Sequence, residues 1–276
     1  MNKKKYAIIG NPLSHSLSPI LHNYWFNKYN INAEYHLLEI KEKEILKIIE
    51  LIKEKKIFGI NVTLPYKQKV IPYVDKLVND AKISNSVNTI YLNNENLIIG
   101  DNTDIYGLQA GYFNKIIDIK LRNSKALIIG AGGVSPSVIV ALKKSNINNI
   151  SLINRTNDKS FFLKKMFPDL NICKWSNLNN IVKDYDIIVN ATSLGLKNGE
   201  EFDALFESFK ESMIYIDTIY NPLETKMIRH LKSKKIKTYN GLDMFIYQGQ
   251  KSFYLWNKVN PEIDDNLISL LASKLK

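Results

Sequence analysis

Apolar positions along this chain recur in two rhythms, and the rhythm predicts the elements. A short apolar run at 6–9 stops at the turn signal Gly10-Asn11-Pro12. A helical stretch is expected over 19–28, and residues 34–40 read as a strand. Over 42–55 the apolar residues Ile45, Ile48, Ile49 and Ile52 fall at helical spacing. Residues 58–64 are again strand-like, and Pro65 is expected to open a helix running to Leu77. Residues 88–92 and 97–100 form a hairpin pattern around Asn93-Asn94.

The pattern then restarts. Residues 126–130 form an apolar run, followed by a glycine turn and a helix over 135–144. Further strands are expected at 150–154, 186–191 and 213–218, with helical segments between them. Strands alternating with helices predict a doubly wound parallel sheet, so the fold class is α/β. From Gly241 onward the pattern is helical, in two segments broken at Asn260-Pro261.

Composition narrows the function. Of 276 residues, 45% are hydrophobic and 24% charged, which is enough to bury a full core. The net charge of +11 raises nucleic acid or a membrane surface as partners. The lysines are spread, however, often beside acids as in Lys41-Glu42-Lys43-Glu44, with dense runs only at 3–5 and 232–237. That distribution is a solvated surface whose positive field draws in small anions. Cys173 is the single cysteine and reads as a packing residue, and no Cys/His cluster suggests a metal. The apolar run after the basic start is too short for a signal peptide, and no run approaches a membrane span of about 20 residues. The expectation is a soluble, cytoplasmic protein that binds neither nucleic acid nor membrane.

The turn Gly130-Ala131-Gly132-Gly133-Val134-Ser135 follows a strand and opens a helix. There glycines let the main chain approach a pyrophosphate, which a helix N-terminus favours. Ser135 stands where the third glycine is usual, with Pro136 next. At the following strand end, where NAD-binding folds carry an acid, stand Asn154, Arg155 and Thr156, with Lys159 beyond. A guanidinium and a hydroxyl suit a 2′-phosphate and favour NADP over NAD. A plain strand-to-helix turn with Thr156 as its cap is the alternative.

Polar clusters also gather at strand ends in the first half: Ser14 to Pro19, Asn61 to Lys67, Ser86 to Thr89, and Gly100 to Asp104. Ligands collect beyond the carboxyl ends of strands in open α/β sheets, and this set suits a polyhydroxy acid. Plainer roles stand beside this one: Ser18 and Asp104 as helix caps, Lys67 as a surface lysine. Lys67 would lie in the first turn of the helix expected after Pro65, where the dipole disfavours a cation and eases proton release.

Together these strings resemble the shikimate dehydrogenase family over nearly the whole chain. They are Ser16 with Ser18, Asn61 to Lys67, Val87 to Thr89, Gly100 to Asp104, Gly130 to Gly133, Asn154 to Thr156, Asn190 to Gly195, Tyr220 to Thr225, and Gly241 with Gln248. The resemblance implies two α/β domains separated by a cleft: a substrate domain of residues 1–104 plus 241–276, and a Rossmann-like NADP domain of 105–240. It implies NADPH-dependent reduction of 3-dehydroshikimate to shikimate, in the pathway to aromatic amino acids, by a monomer or homodimer without a metal. Lys67 and Asp104 would be the catalytic pair. Ser16, Ser18 and Tyr220 would meet the substrate carboxylate, and Thr63, Asn88, Asp104 and Gln248 its hydroxyls and reacting oxygen. Gly130, Ala131, Gly132, Gly133, Asn154, Arg155, Thr156, Lys159, Thr192 and Gly241 would form the NADP(H) site. Ile105, Pro136 and Lys159 replace the Gly, basic residue and Arg common at those places in the family. A quinate/shikimate dehydrogenase of relaxed choice and a non-catalytic sensor are the rival readings.

Overall fold

The computed structural model describes residues 3–14, 16–116, 124–196 and 199–275. The chain divides into two compact units, one of Met1–Gly107 with Ile246–Lys274 and the other of Leu108–Phe245 with Leu275–Lys276.

The first unit is built on β1 (Lys4–Gly10), α1 (Ser18–Lys28), β2 (Ala33–Glu39), α2 (Ile45–Lys53), β3 (Gly59–Val62), β4 (Lys76–Leu77), α3 (Asn79–Ser84), β5 (Thr89–Leu92) and β6 (Ile98–Asp101). Its sheet runs β2-β1-β3-β5-β6-β4. β1 is parallel to both β2 and β3, whereas β5 lies antiparallel to β3 and β6. Ile45, Ile48, Ile49 and Ile52 of α2 pack with Ile9, Val62 and Ile90 on one face. The aromatic rings of Tyr6, His22, Trp25, Tyr35, Phe253 and Trp256 stack together elsewhere in this unit. Phe253 and Trp256 belong to α10 (Leu242–Asn257), and α11 (Asp265–Ser273) follows it.

The second unit begins in α4 (Thr103–Leu108), which continues through a π-helical turn (Gln109–Phe113) into α5 (Asn114–Ile116). It holds β7 (Lys125–Ile129), α6 (Ser135–Lys144), β8 (Asn149–Ile153), α7 (Asn157–Met166), β9 (Asn171–Cys173), α8 (Leu178–Ile181), β10 (Ile187–Asn190), β11 (Ile214–Asp217), α9 (Lys226–Ser233) and β12 (Lys237–Tyr239). The order is β12-β11-β10-β7-β8-β9, with every pairing parallel. Such sheets are covered on both faces, which is why Ala126–Ile129 and Ile187–Val189 are continuous apolar runs at 0% exposure.

Three sequence expectations are corrected. No α-helix forms after Pro65: the chain makes successive turns, such as Tyr66 N–H to Thr63 O and Val70 N–H to Tyr66 O, and one 3-10 turn at Ile71–Tyr73. Lys67 therefore does not stand in the first turn of a helix of its own. Ser18 is the first residue of α1 rather than its cap. Asp104 lies inside α4, while the Asn102 side chain accepts the Asp104 N–H at 3.1 Å and takes the capping part. The short strands β4, β9 and β12 lacked a long apolar run, and they stand at or next to sheet edges, where half the ladder is unmade.

Candidate active site

Each sheet has a point where strand order reverses. In the first it lies between β1 and β3, with β2 on the far side of β1. The crevice at such a point collects ligands at the carboxyl ends of the strands. Gly10 ends β1, and a Cβ there would meet the Thr63 methyl at 2.4 Å, so this close approach of the β1 and β3 ends requires glycine. Thr63 is half-buried at the end of β3. Ser16 and Ser18 follow β1, with Ser16 Oγ donating to Ser18 Oγ at 3.2 Å and accepting the Ser18 N–H at 3.3 Å. His15 lies outside the described residues.

Lys67 Nζ donates to Asp104 Oδ2 at 2.5 Å, and the two side chains are 12% and 6% exposed. The other Asp104 oxygen accepts from Asn88 Nδ2 at 2.9 Å, and the same Asn88 amine points to Gln248 Oε1 at 3.3 Å. Lys67, Asn88, Asp104 and Gln248 are thus brought together from a turn, a strand entry and two helices.

Asn88 is held in one orientation. Its Oδ1 accepts from the Thr103 N–H at 2.7 Å, the Thr103 hydroxyl at 3.0 Å and the Thr89 hydroxyl at 3.0 Å. With the oxygen so occupied, the amine must face Asp104 and Gln248. Below it, Ser252 Oγ accepts from Asn61 Nδ2 at 3.0 Å, meets Thr89 Oγ1 at 2.8 Å and Thr103 Oγ1 at 3.1 Å, and donates to Gln248 O at 3.1 Å. Asn61 is in turn held by the Tyr35 hydroxyl at 2.7 Å. Sequence reading quoted Asn61, Thr89 and Thr103 without a role and missed Ser252. Its signal was one turn of helix beyond Gln248, visible only once Gln248 is known to face the site.

In the second unit the reversal lies between β7 and β10. Gly130 has φ +107°, and a Cβ on it would lie 2.6 Å from the Thr192 methyl and 3.0 Å from Ala191 O, so only glycine fits. At Gly132 a Cβ would meet nothing nearer than Ala191 O at 3.7 Å, so the turn faces open space of the kind a phosphate needs. Ser135 is buried, and its hydroxyl donates to Gly130 O at 2.8 Å, bracing the turn where a third glycine is usual. Asn154 Oδ1 accepts the Ala131 N–H at 3.1 Å and its Nδ2 donates to Thr156 O at 2.7 Å, joining the two turns. Gly133 is half-buried, whereas Arg155, Thr156 and Lys159 are exposed. Thr156 stands at the N-cap of α7 without making a side-chain capping bond. Thr192 Oγ1 donates to Asn190 Oδ1 at 2.6 Å, and the Gly241 N–H to Ile219 O at 2.7 Å. An open glycine turn, an exposed guanidinium and the lack of an acid among Asn154, Arg155 and Thr156 fit a dinucleotide with a 2′-phosphate. Tyr220 lies in this second unit, its ring 4.8 Å from that of Phe245. Asp217, at the end of β11, is buried, and burial pushes its carboxyl up to about 7 against hydrogen bonds from Ile219, Thr225, Asn190 and Tyr215.

A fully parallel sheet with a glycine turn at its switch point, and a lysine–carboxylate pair among hydroxyls and amides, define a dinucleotide-dependent oxidoreductase of the α/β class. The sequence matches the family described as "Shikimate dehydrogenase substrate binding domain" over residues 8–90, and that described as "Shikimate / quinate 5-dehydrogenase" over 113–238. It is 47% identical to the shikimate dehydrogenase (NADP(+)) of Pelagibacter ubique across 98% of this chain and 99% of that one. It is 38% identical to the Pyrococcus abyssi protein of the same name, across 95% of both. Among solved structures, a shikimate dehydrogenase in complex with NADP+ superposes with a TM-score of 0.89 at 32% identity, over 99% of this chain and 96% of that one. The Thermus thermophilus shikimate 5-dehydrogenase in complex with NADP(H) and shikimate gives 0.86 at 26%, over 99% and 100%. This chain belongs to the shikimate dehydrogenase family. Among its described residues, no helix is long and apolar enough to cross a membrane.

Proposed function

We propose that this protein catalyses the reversible NADPH-dependent reduction of 3-dehydroshikimate to shikimate, a step toward aromatic amino acids. The first unit holds the substrate and the second the cofactor. On this reading the enzyme works in the cytoplasm, as a monomer or homodimer, on a diffusible substrate.

The observation that carries the proposal is the buried Lys67–Asp104 pair at 2.5 Å, flanked by Asn88 and Gln248. When bound, NADPH supplies the hydride that reduces the ring ketone. Charge then gathers on the ketone oxygen, and the Lys67 ammonium both stabilises it and gives it a proton. Asp104 holds that ammonium in place, and in the oxidation direction Lys67 takes the proton back. Asn88 and Gln248 present amide groups that can take the neighbouring ring hydroxyls, and Thr63 is assigned to the same hydroxyls. Ser16 and Ser18 offer hydroxyls to the substrate carboxylate, with Tyr220 assigned to the same group. Gly130–Gly133 receive the pyrophosphate, and Arg155, Thr156 and Lys159 the 2′-phosphate, with Thr192 and Gly241 lining the rest of the cofactor site.

The test is absorbance at the nicotinamide band with shikimate or quinate as substrate and NADP+ or NAD+ as acceptor. Fast turnover confined to shikimate with NADP+ is expected. Equal rates with quinate or NAD+ would replace the proposal with the relaxed relative, and no turnover with any pair would reject catalysis.

A further inference from the structure

The guanidinium at the tip of β8 already has a partner. Arg155 Nη1 donates to Glu200 Oε2 at 3.0 Å, with the two side chains 67% and 66% exposed. Glu200 comes after β10, and its carbonyl accepts the Gly195 N–H at 2.7 Å. Gly195 has φ +97°, and its Cβ position lies 3.1 Å from Thr225. The adjacent Glu201 goes elsewhere, to Lys226 at 3.5 Å. The two consecutive acids thus serve different cations, and Glu200 is the one turned toward the cofactor turn.

NAD-binding folds keep an acid at the end of the second strand to accept the ribose 2′-hydroxyl. β8 carries none there, yet Glu200 puts a carboxylate on the guanidinium that follows β8. We infer that Glu200 is a specificity-determining residue of the cofactor site: it holds Arg155 in the free protein and competes with a 2′-phosphate, narrowing the preference for NADP over NAD. The inference rests on the reading of Arg155 as the phosphate clamp. A phosphate dianion and a carboxylate contend for one guanidinium and repel each other, so NADP must displace Glu200 or bind beside it. A ribose hydroxyl meets no such conflict, because it can donate to the carboxylate.

The experiment titrates the full-length protein with NADP+ and with NAD+ by calorimetry, as wild type, Glu200→Gln, Arg155→Ala and the double variant. Exposed ion pairs contribute little, so Glu200→Gln should tighten NADP+ by roughly two- to fivefold. NAD+ should bind unchanged or more weakly, and the gain should shrink in the Arg155→Ala background. Unchanged NADP+ affinity in Glu200→Gln, or equal tightening of both dinucleotides, overturns the inference. The underlying reading fails separately: if Arg155→Ala binds NADP+ as wild type does, Arg155 is not the clamp and Glu200 has nothing to compete for.

Discussion

Lys67 and Asp104 show how a side chain can be legible while its setting is not. The residue types and the Asn61 to Lys67 string pointed to a proton donor, and the partner was named from sequence. The local argument for Lys67 was wrong, because the α-helix expected to open at Pro65 does not form and the ammonium is held by its carboxylate partner instead. General acid–base groups contribute about 10²–10⁴-fold, so Lys67→Ala should lose turnover on that scale while calorimetry still detects shikimate binding. Turnover near wild type would remove Lys67 from the mechanism. Two glycines of the turn proposed to receive the pyrophosphate separate stability from binding. Gly130→Ala puts a Cβ into Thr192 at positive φ and should lower the thermal midpoint. Gly132→Ala enters open space, so it should melt as wild type does and bind NADP+ more weakly. If Gly132→Ala binds NADP+ normally, the pyrophosphate lies elsewhere.

At the scale of elements, helical spacing predicted α2, because burial of one face repeats with the element's own period, whereas the strands of the second unit were read from continuous apolar runs buried on both faces. Neither pattern predicted which helix would support which strand. Ser252 of α10 sits at 0% exposure among Asn61, Thr89 and Thr103, one turn after Gln248. It ties the helix bearing Gln248 to the strand entry bearing Asn88, so it positions the two amides to which the proposal gives the substrate hydroxyls. Ser252→Ala removes the oxygen that accepts from Asn61 Nδ2 and the hydroxyl that donates to Gln248 O, a loss of about 1 kcal/mol. The KM for shikimate should rise by about fivefold, with the KM for NADP+ unchanged because the glycine turn and Arg155 belong to the other unit. Equal change in both constants would mean that the serine is merely structural.

At the scale of the whole molecule, the two units carry buried groups with opposite responses to pH. His22 lies among the aromatic rings, and burial lowers it from 6.5 to about 3. The unfolded chain takes up that proton first, so the stability His22 confers is lost as pH falls from 6.5 toward 3. Asp217 is raised to about 7, so the folded chain keeps a proton that the unfolded chain releases near 4, and its contribution falls as pH rises from about 4 to 7. Melting curves should show this by difference. From pH 4 to 7, wild type should gain on His22→Phe and lose on Asp217→Asn, and the reverse trend in either pair would refute that burial assignment.

The sequence by itself determined the α/β class, the parallel sheet and the glycine turn, since these follow from local periodicity and from residues whose conformational range is set by their own covalent structure. The identity of the chemical groups was legible for the same reason: side-chain type is local. Tertiary structure decided what those groups touch. Asn88 could be named as a site residue, but its orientation depends on Thr89, Thr103 and Ser252, brought together across more than 160 residues of chain. Arg155 could be named as a phosphate ligand, but Glu200, which already holds it, is 45 residues away. Hydrogen-bond partners and counter-ions at such separations are chosen by the packing of sheets and helices, and no local pattern encodes them.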